Sequence, residues 1–345
     1  MTRAAKSGKV QALRFAQGDK TSGTAEEQVQ TPRLAALARG VIGSAVTPSA
    51  VEGSAPHAPH AREREAITVG ALVTRLAQII GSTEQARDLL SLLHSQPRHW
   101  ITLSRESVLS EKDVASALNA AERLAAGAPI QYAAGRAAFR HLVLAVDERV
   151  LIPRPETELL VDLVLDAVRD RPGGIAVDVG TGSGAIAVAL ATEGRFERVI
   201  GTDISRDALA VARTNVFQGA GANVAPVELR HGALLEPVLE RGLSAIVSNP
   251  PYISHAEAGG LPSSVRDWEP AVALFSEDNG LATTLQLVRA AAVALAPNGV
   301  LALEGDMRRM TAVADAAASS GFADVRVLKD LTGRDRFVVA RRREE

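Results

Sequence analysis

From Ala66 to about Ala126 apolar residues recur at helical spacing, with Leu72, Leu76, Ile79 and Ile80 forming one set and Leu89, Leu90, Leu92 and Leu93 a second. Ser110, three residues before Asp113, has the form of a capping box ahead of Val114, Leu118 and Leu124. This spacing predicts a bundle of roughly three to five helices over 66–126. Gly127 and Pro129 end it, and Phe139 to Ile152 alternates well enough to predict a hairpin or a pair of short strands inside a connector, 127–152.

From Pro153 the period changes to strand, turn, helix, repeated. Ile175–Val179, Arg198–Thr202, Val227–Leu229, Ala245–Ser248 and Val300–Leu303 read as strands, with helices at Ala185–Ala191, Asp207–Gln218 and Thr283–Leu295. Such alternation implies a parallel sheet covered by helices on both faces. Val325–Leu328 and Phe337–Ala340, on either side of Thr332–Arg336, read as a closing antiparallel pair. The expected class is therefore α/β, a doubly wound and mostly parallel sheet over 153–345 preceded by a small all-α domain. No internal repeat is evident.

Residues 1–65 show no sustained apolar period and end in Pro48, Pro56, Pro59 and the string Arg62-Glu63-Arg64-Glu65. A segment of this kind buries too little apolar surface to offset its ordering entropy, which predicts a disordered N-terminal extension. Its first twenty residues carry Arg3, Lys6, Lys9, Arg14 and Lys20 but lack the apolar stretch of a secretory signal. A basic leader also fits an organelle transit peptide, although Glu26, Glu27 and the Pro/Gly/Ser-rich stretch after them fit a plain tail better. His57 and His60 within it are expected to be solvated, not metal ligands.

Composition narrows the function classes. With 345 residues, 46% apolar and 23% charged, the chain is an ordinary globular one of roughly two domains. Lys and Arg total 38 against 40 Asp and Glu, so no global basic field points to nucleic acid. The absence of cysteine removes disulfides, thiolate nucleophiles and Cys-ligated metals, and leaves a cytoplasmic location as the default. No apolar run approaches the ~20 residues that span a bilayer. The Arg341-Arg342-Arg343 run is expected to be a solvated tail countered by Glu344 and Glu345.

Asp178-Val179-Gly180-Thr181-Gly182-Ser183-Gly184 follows the first strand of the sheet and opens a helix. Glycines remove Cβ atoms where a chain turns sharply and where a ligand must touch backbone, and the helix start offers free N–H groups. A nicotinamide fingerprint needs its third glycine three residues after the second. Here Gly180, Gly182 and Gly184 alternate behind an acid at the strand end, a spacing that favours S-adenosylmethionine. Asp203 ends the second strand, where a carboxylate can accept both ribose hydroxyls. The structural alternatives are that Asp203 caps the next helix and that Asp178 anchors the glycine turn.

Asn249-Pro250-Pro251-Tyr252 follows Ala245–Ser248 at the carboxyl end of the fourth strand, where open α/β sheets place their ligands. A planar amide or exocyclic amine has a delocalised lone pair, so alkylating its nitrogen requires orientation and support of the polarised transition state. The Asn249 side-chain oxygen and the Pro250 carbonyl can accept its two N–H bonds. Pro250 and Pro251 stiffen the backbone, and Tyr252 can pack flat on the planar group and exclude water. The bland alternative is an Asn-capped Pro-Pro turn.

These motifs resemble the release-factor glutamine methyltransferase family, which are class I S-adenosylmethionine-dependent enzymes. The similarity runs from about Gly127 to Ala340. It includes Gly127-Ala128-Pro129-Ile130-Gln131-Tyr132, the string Val150-Leu151-Ile152-Pro153-Arg154-Pro155-Glu156-Thr157-Glu158, Ala273-Leu274-Phe275 with Gly280-Leu281, and Asp330-Leu331-Thr332-Gly333-Arg334-Asp335-Arg336. The resemblance implies a Rossmann-like seven-stranded sheet with a C-terminal antiparallel hairpin. It implies S-adenosylmethionine held by Asp178, Gly180, Thr181, Gly182, Ser183, Gly184, Asp203, Leu234 and Asn249. The implied acceptor is the Gly-Gly-Gln glutamine of class I peptide chain release factors, its amide held by Asn249 and Pro250 with Tyr252 stacked against it. The 66–126 helices would grip the release factor, and the chain would act as a monomer without a metal. Arg154, Glu156 and Glu158 either shape the mouth of the site or form a salt-bridged surface. Where the family often has an acidic or aromatic residue after the third strand, this chain has His231-Gly232-Ala233-Leu234, so Leu234 is expected to offer adenine an apolar wall. Leu303-Glu304-Gly305-Asp306-Met307-Arg308 lacks the family's usual glycine-then-glutamine spacing. The competing chemistry is a nucleic-acid adenine or guanine amine methyltransferase, since an aromatic after Asn-Pro-Pro would serve a flipped base, but such enzymes generally need a basic groove and the chain offers neither net positive charge nor a recognisable nucleic-acid-binding insertion.

Overall fold

The computed structural model describes residues 66–221 and 224–344, and the expected extension 1–65 lies outside them. Five helices come first, α1 (Val69–Ile80), α2 (Thr83–Leu93), α3 (His99–Leu103), α4 (Glu111–Ala125) and α5 (Ile130–Ala134). They close over an apolar cluster that includes Leu72, Leu76, Leu89, Leu90, Ala117 and Ala121. Ser110 caps α4 by accepting from the Asp113 N–H at 3.1 Å. The reciprocal half of a capping box is absent there, because the short Asp113 carboxylate instead accepts from the Ser110 hydroxyl. A complete box occurs where sequence reasoning had not placed one, at Ser254 and Glu257.

The hairpin is real but lies earlier than its alternation predicts. Strands β1 (Arg136–Phe139) and β2 (Leu142–Ala145) pair antiparallel, turning at Arg140 with φ of 55°. Val146, Val150 and Ile152 alternate because each is buried against Ala208, Val211 and Tyr132, not because they pair with a strand. Period-two burial reports a half-buried extended chain, and ladder pairing is a separate condition.

Helix α6 (Pro155–Val168) was not anticipated, although Pro155 in its first turn and Glu156 and Glu158 just behind are recognised start signals. Then come β3 (Ile175–Val179), α7 (Ala185–Glu193), β4 (Arg198–Asp203), α8 (Arg206–Gly219), β5 (Val227–His231) and β6 (Leu243–Ser248). A 3₁₀ turn (His255–Gly260) and single turns α9 (Ser263–Arg266), α10 (Ala271–Leu274) and α11 (Glu277–Gly280) lead to α12 (Ala282–Ala294). The chain ends through β7 (Leu295–Glu304), α13 (Met310–Ser319), β8 (Phe322–Lys329) and β9 (Asp335–Arg342). The seven-stranded sheet has the order β5-β4-β3-β6-β7-β9-β8, parallel except where β9 runs against both β7 and β8. This is the class I methyltransferase arrangement. The arginine run is not a solvated tail: Arg341 and Arg342 belong to β9, and Arg341 donates to the Ala167 carbonyl at 2.6 Å.

The two faces of the sheet are sorted residue by residue. Val177, Val179, Ile246, Leu301 and Leu303 face one layer with Leu287, Val288 and Met310 of α12 and α13. Ala176, Ala245, Val247, Val300 and Ala302 face the other, against Leu160, Val164 and the α7 run Ala185-Ile186-Ala187. Every residue of α7 from Ala185 to Ala191 is buried, and its alternating alanines let this central helix lie close on the sheet. Among the described residues no helix is long and apolar enough to cross a membrane.

Candidate active site

The strand order reverses between β3 and β6, so the carboxyl ends of β3, β4 and β6 border a crevice, the place where ligands bind in open α/β sheets. The cleft there has a volume of about 340 Å³ and is lined by Gly180, Gly182, Asp203, Leu234, Asn249, Pro250 and Pro251, among others. Most of the residues the sequence singled out therefore meet in one place. Asp178, Thr181, Ser183, Gly184 and Tyr252 do not line it.

Gly180, Gly182 and Gly184 take φ of 71°, 53° and 81°, a region that a side chain disfavours. A Cβ on Gly180 or Gly182 would meet no protein atom within 4 Å, whereas one on Gly184 would lie 3.3 Å from the Ala212 Cβ. The first two glycines thus keep backbone bare toward the cleft, and the third lets α7 approach α8. Beneath the loop, fully buried Asp178 accepts from the Thr181 hydroxyl at 2.6 Å and the Ala187 N–H at 3.0 Å. Its other oxygen has no partner, and burial pushes the carboxyl up to about 7. Thr181 and Ser183 are also buried under the turn. Asn215 of α8, which the sequence reading missed, clamps this assembly by donating to the Ser183 carbonyl at 2.8 Å and to the Ala145 carbonyl at 2.9 Å.

Asp203 closes the loop from the β4 side. Its Oδ2 accepts from the Gly182 N–H and its Oδ1 from the Ser205 N–H, each at 2.8 Å. Burial raises its carboxyl from the ordinary value, while the backbone donors work against that shift. The α8 cap is Ser205, which accepts from the Ala208 N–H. Each Asp203 oxygen retains acceptor capacity toward the cleft. Leu234 holds a left-handed φ of 48°, with its carbonyl accepting from the Thr202 hydroxyl at 2.8 Å.

On the opposite side, the Ser248 hydroxyl donates to the Val179 carbonyl at 2.7 Å and locks β6 to β3 immediately before Asn249. Asn249 Nδ2 donates to Thr157 Oγ1 at 3.2 Å, and Thr157 donates to Glu304 Oε2 at 2.8 Å. Burial pushes the Glu304 carboxyl up to about 7. Tyr252 sits largely enclosed beside the cleft, its phenol pushed up to about 12 chiefly by burial. The Tyr252 carbonyl packs against Gly280, and buried Arg309 donates to the Asn279 carbonyl at 2.5 Å and to Glu257 at 2.8 Å. These contacts pin the 254–281 segment to the Asn-Pro-Pro-Tyr turn. Of the charged trio, Arg154 pairs with buried Glu269, and Glu158 accepts from the Arg140 N–H, tying the hairpin turn to α6.

Thr157, Glu304, Gly280 and Arg309 were missed as site residues. Glu304 had a usable signal, since it is an acid at the carboxyl end of a buried strand, as Asp178 and Asp203 nearly are. Thr157 stands inside a string that carries the family resemblance, of which only the charged residues Arg154, Glu156 and Glu158 had been weighed for a role.

Residues 156–260 match the family model described as Methyltransferase small domain. The release factor glutamine methyltransferase of Moorella thermoacetica is 40% identical over 282 residues, covering 80% of this chain and 98% of that protein. That of Enterococcus faecalis is 38% identical over 242 residues, with 70% and 85% covered. A third, from Deinococcus radiodurans, is 41% identical over 229 residues, with 66% and 80% covered. Relatives this similar over most of their own length, joined to the sheet order and the cleft between the glycine turn and Asn249, place the chain in the release factor glutamine methyltransferase family.

Proposed function

We propose that this chain methylates the side-chain amide of the glutamine in the Gly-Gly-Gln tip of class I peptide chain release factors, with S-adenosylmethionine as donor. The observation that carries the reading is the single cleft in which a bare glycine turn and Asp203 face Asn249 and Pro250. The glycine turn suits the donor, because Gly180 and Gly182 leave open exactly the space that side chains would fill. In this reading Gly180 and Gly182 offer backbone to the donor, and Asp203 accepts from its ribose hydroxyls. Leu234 supplies an apolar wall for adenine, while Asp178, Thr181, Ser183 and Gly184 hold the turn in shape from below.

When bound, the donor would supply a methyl on a positive sulfur, and its transfer to the amide nitrogen would leave the S–C electron pair on sulfur. Asn249 Oδ1 and the Pro250 carbonyl accept the two N–H bonds of the acceptor amide, orienting its nitrogen and supporting the positive charge that develops there. No strong base is required beforehand, because the surplus proton leaves once that nitrogen is cationic. Tyr252 borders the acceptor position and helps to exclude water. Helices α1–α4, within 66–126, grip the body of the release factor, with 127–152, which includes α5, as connector and 153–345 as the catalytic unit, in a monomer of the cytoplasm.

Transfer of labelled methyl from S-adenosylmethionine tests this. Label is expected in a release factor and absent from one whose tip glutamine is replaced by alanine. Label in RNA or DNA but in neither release factor would overturn the reading in favour of a nucleic-acid amine.

A further inference from the structure

The proposed role of Asn249 depends on which end of its amide faces the acceptor. An acceptor –NH2 needs an oxygen opposite it, and a reversed Asn249 amide would set donor against donor. The fold contains a device that decides between the two. Along β6, Ala245 and Val247 face the α6 side of the sheet, and along β7, Val300 and Ala302 do the same. Alternation carries that direction to Asn249 and Glu304, which follow the in-register pair Ser248 and Leu303. Between them, from the first turn of α6, comes Thr157. Thr157 is 5% exposed and Glu304 1%.

We infer that Glu304, acting through the Thr157 hydroxyl, fixes the polarity of the Asn249 amide so that Oδ1 is the atom presented to the acceptor nitrogen. The inference deepens the methyl-transfer reading and rests on it. A hydroxyl has one proton. Ionised Glu304 can only accept, so it takes that proton at 2.8 Å. Thr157 Oγ1 is then left with lone pairs alone, and the Asn249 atom facing it at 3.2 Å must be the Nδ2 donor. Among the described residues no hydrogen bond engages Asn249 Oδ1, which leaves it for the substrate. Thr157 and Glu304 touch no reacting atom and are positioning residues.

The device also responds to pH. Glu304 is faced by Thr157, Glu156 and Arg154 at the start of α6, by Arg336 of β9 and by Tyr252 after β6. Burial drives its carboxyl up to about 7, the Thr157 hydrogen bond, Arg336 and Arg154 oppose that, and Glu156 adds to it. A protonated Glu304 can donate to Thr157, whose own proton is then free to turn toward Asn249 and favour the reversed amide.

The test uses the full chain, a release factor and saturating S-adenosylmethionine. Thr157→Val is expected to lower kcat roughly tenfold or more, as loss of one well-placed hydrogen bond does. Cofactor affinity by calorimetry should stay within about threefold, and Thr157→Ser, which restores the hydroxyl, should recover most of the rate. Wild-type kcat should fall as pH drops below about 7, a limb absent from Thr157→Val. Thr157→Val with wild-type kcat and an unchanged acid limb would overturn the inference, and so would a Thr157→Ser variant as slow as Thr157→Val. The side-chain amide protons of Asn249, followed by NMR without substrate, give an independent reading: their shifts should titrate near neutrality in the wild type and not in Thr157→Val. If they do so while no release factor is methylated, it is the substrate reading that fails and not the coupling.

Discussion

Replacing Gly280 by alanine should disable the Asn249-Pro250-Pro251-Tyr252 turn from behind. Gly280 has φ of +82°, and a Cβ built on it would lie 2.3 Å from the Tyr252 carbonyl oxygen and 2.9 Å from Arg309 Nε. The left-handed conformation costs alanine about 1–2 kcal/mol. Relieving the contact requires the Tyr252 carbonyl or the 277–281 turn to move by roughly 1 Å, adding about 1–3 kcal/mol of overpacking. Arg309 cannot easily yield, since it is held by the Asn279 carbonyl and Glu257. The expected loss of about 2–5 kcal/mol would lower the unfolding midpoint by roughly 4–10 °C. A shift of roughly 1 Å at the acceptor clamp would lower kcat about a hundredfold. Cofactor affinity should change far less, because Gly180, Gly182 and Asp203 hold their own hydrogen bonds to Thr202, to each other and to Ser205. Gly259 is the control: a Cβ there meets nothing within 4 Å and its φ is not left-handed, so Gly259→Ala should leave stability and rate intact. Thermal unfolding and steady-state methylation of the two variants decide the matter. Gly280→Ala with the midpoint and kcat of the wild type would refute the packing argument.

Other consequences are as direct. Asn249→Ala should reduce methyl transfer by about 100-fold or more while calorimetry finds cofactor affinity within about threefold; equal loss of both would make Asn249 a cofactor or scaffold residue instead. Asp203→Asn should weaken S-adenosylmethionine binding by roughly 10–100-fold, the worth of hydrogen bonds to a charged group, and unchanged binding would remove Asp203 from the cofactor site. Asp178, pushed up to about 7 from 3.8, keeps in the folded chain a proton that the unfolded chain releases at lower pH. Its contribution to stability is therefore present below that window and declines as pH rises from about 4 to about 7. Urea unfolding at pH 5 and pH 8 should show a smaller difference in Asp178→Asn than in the wild type, and an equal difference would contradict the assignment.

The parallel sheet was legible because its strands are buried on both faces and so read as near-continuous apolar runs, as in Ile175-Ala176-Val177 and Ala245-Ile246-Val247. The glycine turn was legible because left-handed backbone leaves glycine at alternate positions. Alternation misled at Val146, Val150 and Ile152, where side chains of α5 and α8 bury an unpaired segment. The arginine run looked like a tail because charge masks strand character, yet Arg341 and Arg342 reach backbone carbonyls from the end of β9. What supports Asn249 could not be read locally. Thr157 lies 92 residues before it in the first turn of α6, Glu304 ends the next strand, and alternation along β6 and β7 turns Asn249 and Glu304 to the side that α6 covers.

The most direct test of the account is peptide mapping by mass spectrometry of a purified class I release factor after incubation with this chain and S-adenosylmethionine. The account predicts the gain of one methyl group on the side-chain amide of the Gly-Gly-Gln glutamine and on no other residue. A release factor that stays unmodified while the chain binds S-adenosylmethionine, or a methyl found elsewhere on it, would contradict the assignment of this cleft to glutamine.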